Sequence, residues 1–157
     1  MTKQQPRRTT FALKAILALL LATILTGAVA PSSASTGTLH RSRALHVTKE
    51  CSQYTGLADS YCTITSSNVR AITVGSRVVY LQAAAATSLD SDIVVVAGPG
   101  NYALGHVTLD FVTSTGEVTI WGGTGHFAHL HARAAVSALG GPNWAWDGTY
   151  RFGEHQD

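Results

Sequence analysis

Apolar and polar side chains alternate with a period of two along several stretches in the second half of the chain. The apolar residues occupy the odd positions of 107–111 and the even positions of 128–134. Similar alternation occurs at 117–120 and 143–152. Because successive side chains of a β-strand point to opposite faces, this pattern predicts strands with one buried and one solvated face.

Turn residues separate these stretches. Glycine, proline, asparagine, serine and threonine cluster at 98–101, 114–116, 122–125 and 140–143. A turn about every ten residues is typical of an all-β sandwich or barrel. The predicted strands cover 44–49, 61–66, 71–74, 76–82, 93–97, 102–111, 118–121, 127–136 and 144–152. Segment 83–88 (AAAATS) is compatible with a short helix or a bend.

The first 34 residues have the composition of a secretory signal peptide. Lys3, Arg7, Arg8 and Lys14 make a basic start, and 15–30 is a run of sixteen uncharged residues. Such a run is shorter than the roughly eighteen residues of a membrane-spanning helix, so removal is favoured over anchoring. The general secretory route and the twin-arginine route both remain open.

The export signal divides the chain into three segments. Small residues favour cleavage after Ala34. We therefore predict a signal peptide over 1–34, a flexible leader over 35–43 and a β-barrel domain over 44–157. The mature protein is expected outside the cytoplasm, in the periplasm or the medium.

The charge balance changes once the signal peptide is set aside. The whole chain carries a formal charge of +2, but beyond position 34 seven basic residues face nine acidic ones, a net charge of −2. A phosphate-binding surface therefore has no support, and no nucleic-acid partner is expected. We also expect no membrane association after signal cleavage.

Cys51 and Cys62 are the only cysteines of the chain. In an oxidising compartment an even pair at this spacing is more often a disulfide than a metal site. A disulfide closing so short a loop should stabilise the fold by about 3 kcal/mol. Two free buried thiols are the alternative.

Segment 118–127 reads Val-Thr-Ile-Trp-Gly-Gly-Thr-Gly-His-Phe. It resembles the strand, GG[TS]G turn and following phenylalanine shared by allene oxide cyclases and dirigent proteins. Segments 103–110 and 146–152 are similar to the preceding and closing strands of that superfamily. The region from Cys51 to Asn68 resembles bacterial sequences described as allene oxide cyclase barrel-like.

The resemblance implies an antiparallel eight-stranded β-barrel, often trimeric in relatives, with a lumen that binds a hydrophobic small molecule. In the cyclases the lumen steers ring closure of an unstable lipid epoxide, and in dirigent proteins it orients phenylpropanoid radicals. Both tasks depend on holding a reactive molecule in one conformation. No cofactor is implied, and no catalytic residue carries over to this chain.

Seven residues are candidates for lining such a pocket. Asn68 and Tyr80 are the polar candidates, although turn hydrogen bonding and cross-strand packing are alternative roles for them. The tryptophans are either a ligand platform or core packing. The remaining candidates are Phe111, Leu130, Trp144, Trp146 and Tyr150.

A different chemistry is suggested by His129 and His131. Their spacing after Gly123 reproduces the opening of a cupin metal motif, and two histidines on one strand face bind zinc or copper. The carboxylate of that motif is missing, because the next acidic residue is Asp147. A solvated strand face is the alternative.

Three functions stay open on these patterns. The first is a secreted barrel that binds a hydrophobic molecule and steers its cyclisation, isomerisation or coupling. The second is a non-catalytic secreted binding or surface protein on the same barrel. The third is a cupin-like, metal-dependent enzyme with His129 and His131 as ligands.

Overall fold

The computed structural model describes residues 41–153. The predicted signal peptide 1–34 and most of the predicted leader lie outside the described residues. Within residues 41–153, no helix has the length and apolar character needed to cross a membrane. Eight strands are formed, namely β1 (Arg43–Glu50), β2 (Tyr61–Ser67), β3 (Arg77–Tyr80), β4 (Ser88–Val96), β5 (Tyr102–Asp110), β6 (Thr115–Gly123), β7 (Leu130–Gly140) and β8 (Asn143–Phe152).

The eight strands close into one barrel. Each strand pairs antiparallel with the next along the chain, and β8 pairs antiparallel with β1. The all-β class and the antiparallel eight-stranded barrel predicted from the sequence are therefore confirmed. Closure leaves no free sheet edge in this barrel, which protects its strands from edge-to-edge association.

The period-two alternation places the apolar side chains inside the barrel. Val107 and Leu109 of β5 are buried, as are Leu130, Ala132 and Ala134 of β7. At the strand ends the alternation predicts burial less well. Phe152, the last residue of β8, is 40% exposed although the alternation predicts burial.

The predicted strand 71–74 is wrong. Residues 68–76 form the connection between β2 and β3, and they bury Val69, Ala71 and Ile72 against the core. Gly75, near the end of this connection, has a φ of +89°, a conformation that glycine adopts without strain. A short apolar run has the composition of a strand, but here its buried side chains close one end of the barrel.

The predicted strand 127–136 begins late. Gly125–Phe127 is a short 3-10 helix, and β7 starts at Leu130. His129, just before β7, has a φ of +59°, which interrupts the extended backbone. The segment is also tied to the 98–101 turn, because the Thr124 N–H donates to the Tyr102 carbonyl (2.7 Å) and the Thr124 hydroxyl to the Gly100 carbonyl (2.8 Å).

The connections between strands define two ends of the barrel. We call the end that carries the connections 51–60, 81–87, 111–114 and 141–142 the disulfide end, and the end that carries 68–76, 97–101 and 124–129 the opposite end. The sulfurs of Cys51 and Cys62 lie 2.04 Å apart at the disulfide end. The predicted pairing of the two cysteines is thereby confirmed.

Candidate functional site

Lys49 points into the barrel. It follows Leu45 and Val47 at the inward positions of β1, and only 3% of its surface is exposed. The six arginines within residues 41–153 are all exposed. A lysine therefore stands where the strand pattern calls for an apolar side chain, and full burial of lysine is rare unless it has a charged partner.

Aromatic groups surround the Lys49 amine. Its Nζ donates a hydrogen bond to the Tyr80 hydroxyl and lies 5.2 Å from the Tyr80 ring centroid. The Trp146 ring centroid is 5.3 Å from the same nitrogen. Both distances are within the range of cation–π attraction. The Sγ of Cys62 is 3.9 Å away, so the amine also touches the disulfide.

Lys49 has no acidic partner within residues 41–153, where the ion pairs are formed by histidines and Arg133. Burial lowers the pKa of Lys49 from 10.5 to about 7, because removal from water penalises the charged form. A lysine with this pKa is neutral in about half of the molecules at neutral pH. A neutral amine is both a nucleophile and a proton acceptor.

Tyr80 remains protonated beside this amine. Burial raises the pKa of Tyr80, and the nearby Tyr54 raises it further. The Tyr80 hydroxyl is also 3.4 Å from the Sγ of Cys62. The pair of Lys49 and Tyr80 thus combines an amine that loses its charge easily with a phenol that keeps its proton.

Two further polar atoms beside this pair have no hydrogen-bond partner in the described chain. They are the Tyr54 hydroxyl and the Trp146 Nε1, both fully buried. The Tyr54 ring lies against Tyr80 with a centroid distance of 4.8 Å. Because buried polar atoms are nearly always paired, these two are available to a water or to a polar atom of a ligand. We call Lys49, Tyr54, Tyr80 and Trp146 the lysine site.

The connection 51–60 covers the lysine site and brings Tyr54 to it. The disulfide fixes the connection to β2, and the Cys51 N–H donates to the Pro142 carbonyl (2.9 Å). The Asp59 N–H donates to the Tyr80 carbonyl (2.8 Å). In the middle of the connection the Gly56 carbonyl accepts from the Ala84 N–H (2.8 Å), and Leu57 at its surface is 66% exposed. Access to Lys49 from this end therefore requires Tyr54 to move.

Four of the seven predicted pocket residues lie towards the disulfide end. Tyr80 and Trp146 belong to the lysine site itself. Trp144 stands opposite Lys49 in the pairing of β8 with β1 and is partly buried against the core. Phe111, directly after β5, is also partly buried there.

The other three predicted pocket residues lie towards the opposite end. Asn68 is exposed and bridges β1, since its Oδ1 accepts from the His46 N–H (2.8 Å) and its Nδ2 donates to the Ala44 carbonyl (3.0 Å). With Tyr150 it borders an open groove of about 670 Å³. Leu130 is fully buried in the core. The candidates therefore do not form one site.

His129 and His131 do not share a strand face. His129 precedes β7 with a left-handed backbone, whereas His131 lies within β7. No group of three or more histidine, cysteine, aspartate or glutamate side chains within residues 41–153 is arranged to hold a metal ion. In the described part of the chain, no third ligand completes a cupin-like centre.

Lys49 was missed by the sequence patterns, although two signals pointed to it. It is the only lysine after Lys14 in the whole chain. It also occupies the third inward position in the alternating run of Leu45, Val47 and Lys49. The second signal marks a polar residue at a core position, which is a common property of functional sites.

No protein-family model, curated protein or solved structure matches this chain. The function is therefore argued from the lysine site.

Proposed function

We propose that this protein is exported and binds a small hydrophobic molecule at the disulfide end of its barrel, in contact with Lys49, Tyr54, Tyr80 and Trp146. The observation that carries the proposal is a fully buried lysine among aromatic rings, with no carboxylate partner in residues 41–153. A ligand would enter when the connection 51–60 opens, and Tyr54 would then pack against it.

Burial of Lys49 carries a cost in folding free energy, which supports a functional role. Lowering the pKa of a lysine from 10.5 to about 7 corresponds to a penalty on the order of 5 kcal/mol at neutral pH. An apolar side chain of similar volume avoids that penalty. Residues that destabilise a fold and lie in an apolar interior are frequently maintained by function.

The composition of the site favours an apolar ligand with one polar atom. The groups packed around Lys49 are aromatic rings and the disulfide, and the polar groups there are the Lys49 amine, the Tyr80 and Tyr54 hydroxyls and the Trp146 Nε1. Small-molecule sites commonly combine apolar walls with a few oriented polar groups. An eight-stranded barrel has an interior just wide enough for side chains or for one small ligand.

Export, the barrel subtype and steering of a reaction are further parts of the proposal. The basic and apolar start of the chain and the Cys51–Cys62 disulfide support export. The likeness of 118–127 to allene oxide cyclases and dirigent proteins supports a barrel of that type, and with it homo-oligomeric assembly. In such a barrel the Lys49 amine and the Tyr80 hydroxyl would serve as proton acceptor and donor during cyclisation or isomerisation.

A fluorescent apolar probe tests the binding proposal. N-phenyl-1-naphthylamine, which is uncharged and brightens in apolar surroundings, is titrated into the purified protein. We expect one saturable site per chain and about tenfold weaker binding in Tyr54→Ala, a change of about 1.4 kcal/mol. Tyr102→Ala is the matched control, because Tyr102 is 39% exposed on the outer face at the opposite end.

Two results would overturn the proposed site. One is the absence of saturable binding in the wild-type protein. The other is equal weakening by Tyr54→Ala and Tyr102→Ala, which would place the probe elsewhere.

Mass spectrometry of an organic extract of the protein, purified from an exporting host, then identifies the natural ligand by its mass and functional groups.

A further inference from the structure

We propose that the ligand carries an aldehyde or ketone group, and that Lys49 captures its carbonyl carbon as a reversible imine. This inference rests on the proposed function, since the carbonyl compound must first enter the lysine site. It goes further by naming the chemical class of the ligand and the atom of the protein that bonds to it.

The surroundings of Lys49 favour an uncharged reaction partner. The amine is enclosed by the Tyr80 and Trp146 rings and by the Cys51–Cys62 disulfide. Removal from bulk solvent and the lack of a carboxylate partner within residues 41–153 disfavour the ammonium form, which has no lone pair. A neutral amine buried in an apolar pocket is the usual form of lysines that react with carbonyl compounds.

Tyr80 supplies the acid that imine formation needs. The Lys49 lone pair attacks the carbonyl carbon, and the carbonyl oxygen takes a proton to give a carbinolamine. The Tyr80 hydroxyl donates a proton to that oxygen, which leaves as water, and takes the last proton of the nitrogen in return. A carbon–nitrogen double bond remains, and the phenol is regenerated. One amine and one carbonyl thus give one imine and one water, and addition of water reverses the step. The Tyr80 hydroxyl already touches the Lys49 Nζ, so the acid is within reach of the reacting atoms.

None of the titratable groups around Lys49 in the described chain changes charge near neutrality, so its reactivity should rise with pH as Lys49 itself loses its proton. Tyr80 and Tyr54 stay protonated around neutrality, because burial raises the pKa of both. Glu50, the next residue of β1, points the other way, and its carboxylate accepts from the Ser52 N–H (2.6 Å) and hydroxyl (3.0 Å). Labelling of Lys49 should therefore rise with pH through about 7, following loss of its own proton.

Reductive trapping tests the inference. The full chain is incubated at pH 7 with decanal and sodium cyanoborohydride, which converts an imine into a stable secondary amine. Digestion with a protease that does not cut at lysine then locates the label. Lys3, Lys14 and the α-amino group are the only other primary amines of the chain.

We expect Lys49 to be labelled at least about tenfold faster than Lys3 or Lys14, since at pH 7 an ordinary lysine is almost entirely protonated. The excess should disappear when the protein is unfolded in urea, where all lysines become equivalent. Tyr80→Phe should slow labelling of Lys49 severalfold, because the acid is lost. Decanol, which has the same chain length without the carbonyl, should protect Lys49 by occupying the site.

The outcomes separate this inference from the proposed function. If decanol displaces the fluorescent probe but decanal does not label Lys49, the imine is excluded and the binding site stands. If decanoate binds more tightly than decanal or decanol, the polar group recognised is a carboxylate, and the imine is again overturned. If neither decanol nor the probe binds, both proposals fail. Labelling confined to Lys3, Lys14 or the α-amino group also overturns the inference.

Discussion

The Nζ of Lys49 donates a hydrogen bond to the hydroxyl of Tyr80 inside the barrel, and the two residues come from β1 and β3, which are not neighbours in the sheet. Each group is the principal hydrogen-bond partner of the other in an interior that is otherwise mostly apolar. Replacing one residue of the pair therefore changes the charge state of the interior and leaves the polar group of the other residue without its hydrogen-bond partner.

The stability of the protein should increase with pH between 7.5 and 9. The pKa of Lys49 is lowered from 10.5 to about 7, so in this window the unfolded chain holds a proton that the folded chain has released. Unfolding then takes up a proton, and the free energy of unfolding should rise by about 2 kcal/mol across the window. Urea unfolding monitored by tryptophan fluorescence measures it.

Two variants control the pH measurement. Lys49→Met should remove the rise, whereas Ile120→Val, another change inside the barrel, should keep it and lower stability by about 1 kcal/mol at every pH. Above pH 10 the raised pKa of Tyr80 acts in the opposite direction, because the unfolded chain loses that proton first. A wild-type profile that is flat from pH 7.5 to 9 would contradict the buried neutral amine.

Replacing the two polar partners should give opposite effects at pH 7. Lys49→Met should stabilise the fold by about 1–4 kcal/mol, because a buried amine is replaced by an apolar chain of similar volume. Tyr80→Phe should destabilise it by about 1–3 kcal/mol, because the amine loses its hydrogen bond. The double variant should be more stable than Lys49→Met alone, since Tyr80 is then not left unpaired. Destabilisation by Lys49→Met would show that the lysine has a structural role.

The disulfide should control access to the lysine site. Replacing Cys51 and Cys62 by alanine removes a cross-link between residues 11 apart, and the free energy of unfolding should fall by about 3 kcal/mol. The connection 51–60 should then open more often. Hydrogen exchange at the Asp59 N–H, which donates to Tyr80, reports this opening. Exchange as slow as in the wild type would show that backbone hydrogen bonds alone close the site.

The barrel could be predicted from the sequence because the alternation of apolar and polar residues is visible within each single strand. Val107 and Leu109 follow a local pattern that is readable without knowing the partners of their strand. The alternation did not reveal that 71–74 closes an end of the barrel, because a buried loop and a short strand share the same apolar composition. The alternation also predicts a strand at His129, because nothing in the sequence marks its left-handed backbone.

The lysine site could be predicted only in part. Tyr80 and Trp146 are among the predicted pocket residues, but Asn68, Leu130 and Tyr150, predicted with them, lie towards the opposite end. Which side chains of different strands come together at one end of the barrel depends on strand register. The register shifts at bulges such as the one between Thr48 and Lys49 in the pairing of β1 with β2. Such a shift is a property of two paired strands, so the residues of one strand do not encode it.

Gly148 should tolerate no side chain, because β8 approaches β7 closely there. A Cβ at this position would overlap the Arg133 carbonyl oxygen and lie 2.5 Å from the Cα of Ala134. Both atoms are backbone, so the strands would have to separate, and Gly148→Ala should lower the free energy of unfolding by about 2 kcal/mol or more. Gly153→Ala is the matched control, since its Cβ would meet the His129 Cβ at an ordinary 3.5 Å. Comparable urea midpoints for the two variants would contradict the closeness of β7 and β8, and with it the tight barrel that holds the lysine site.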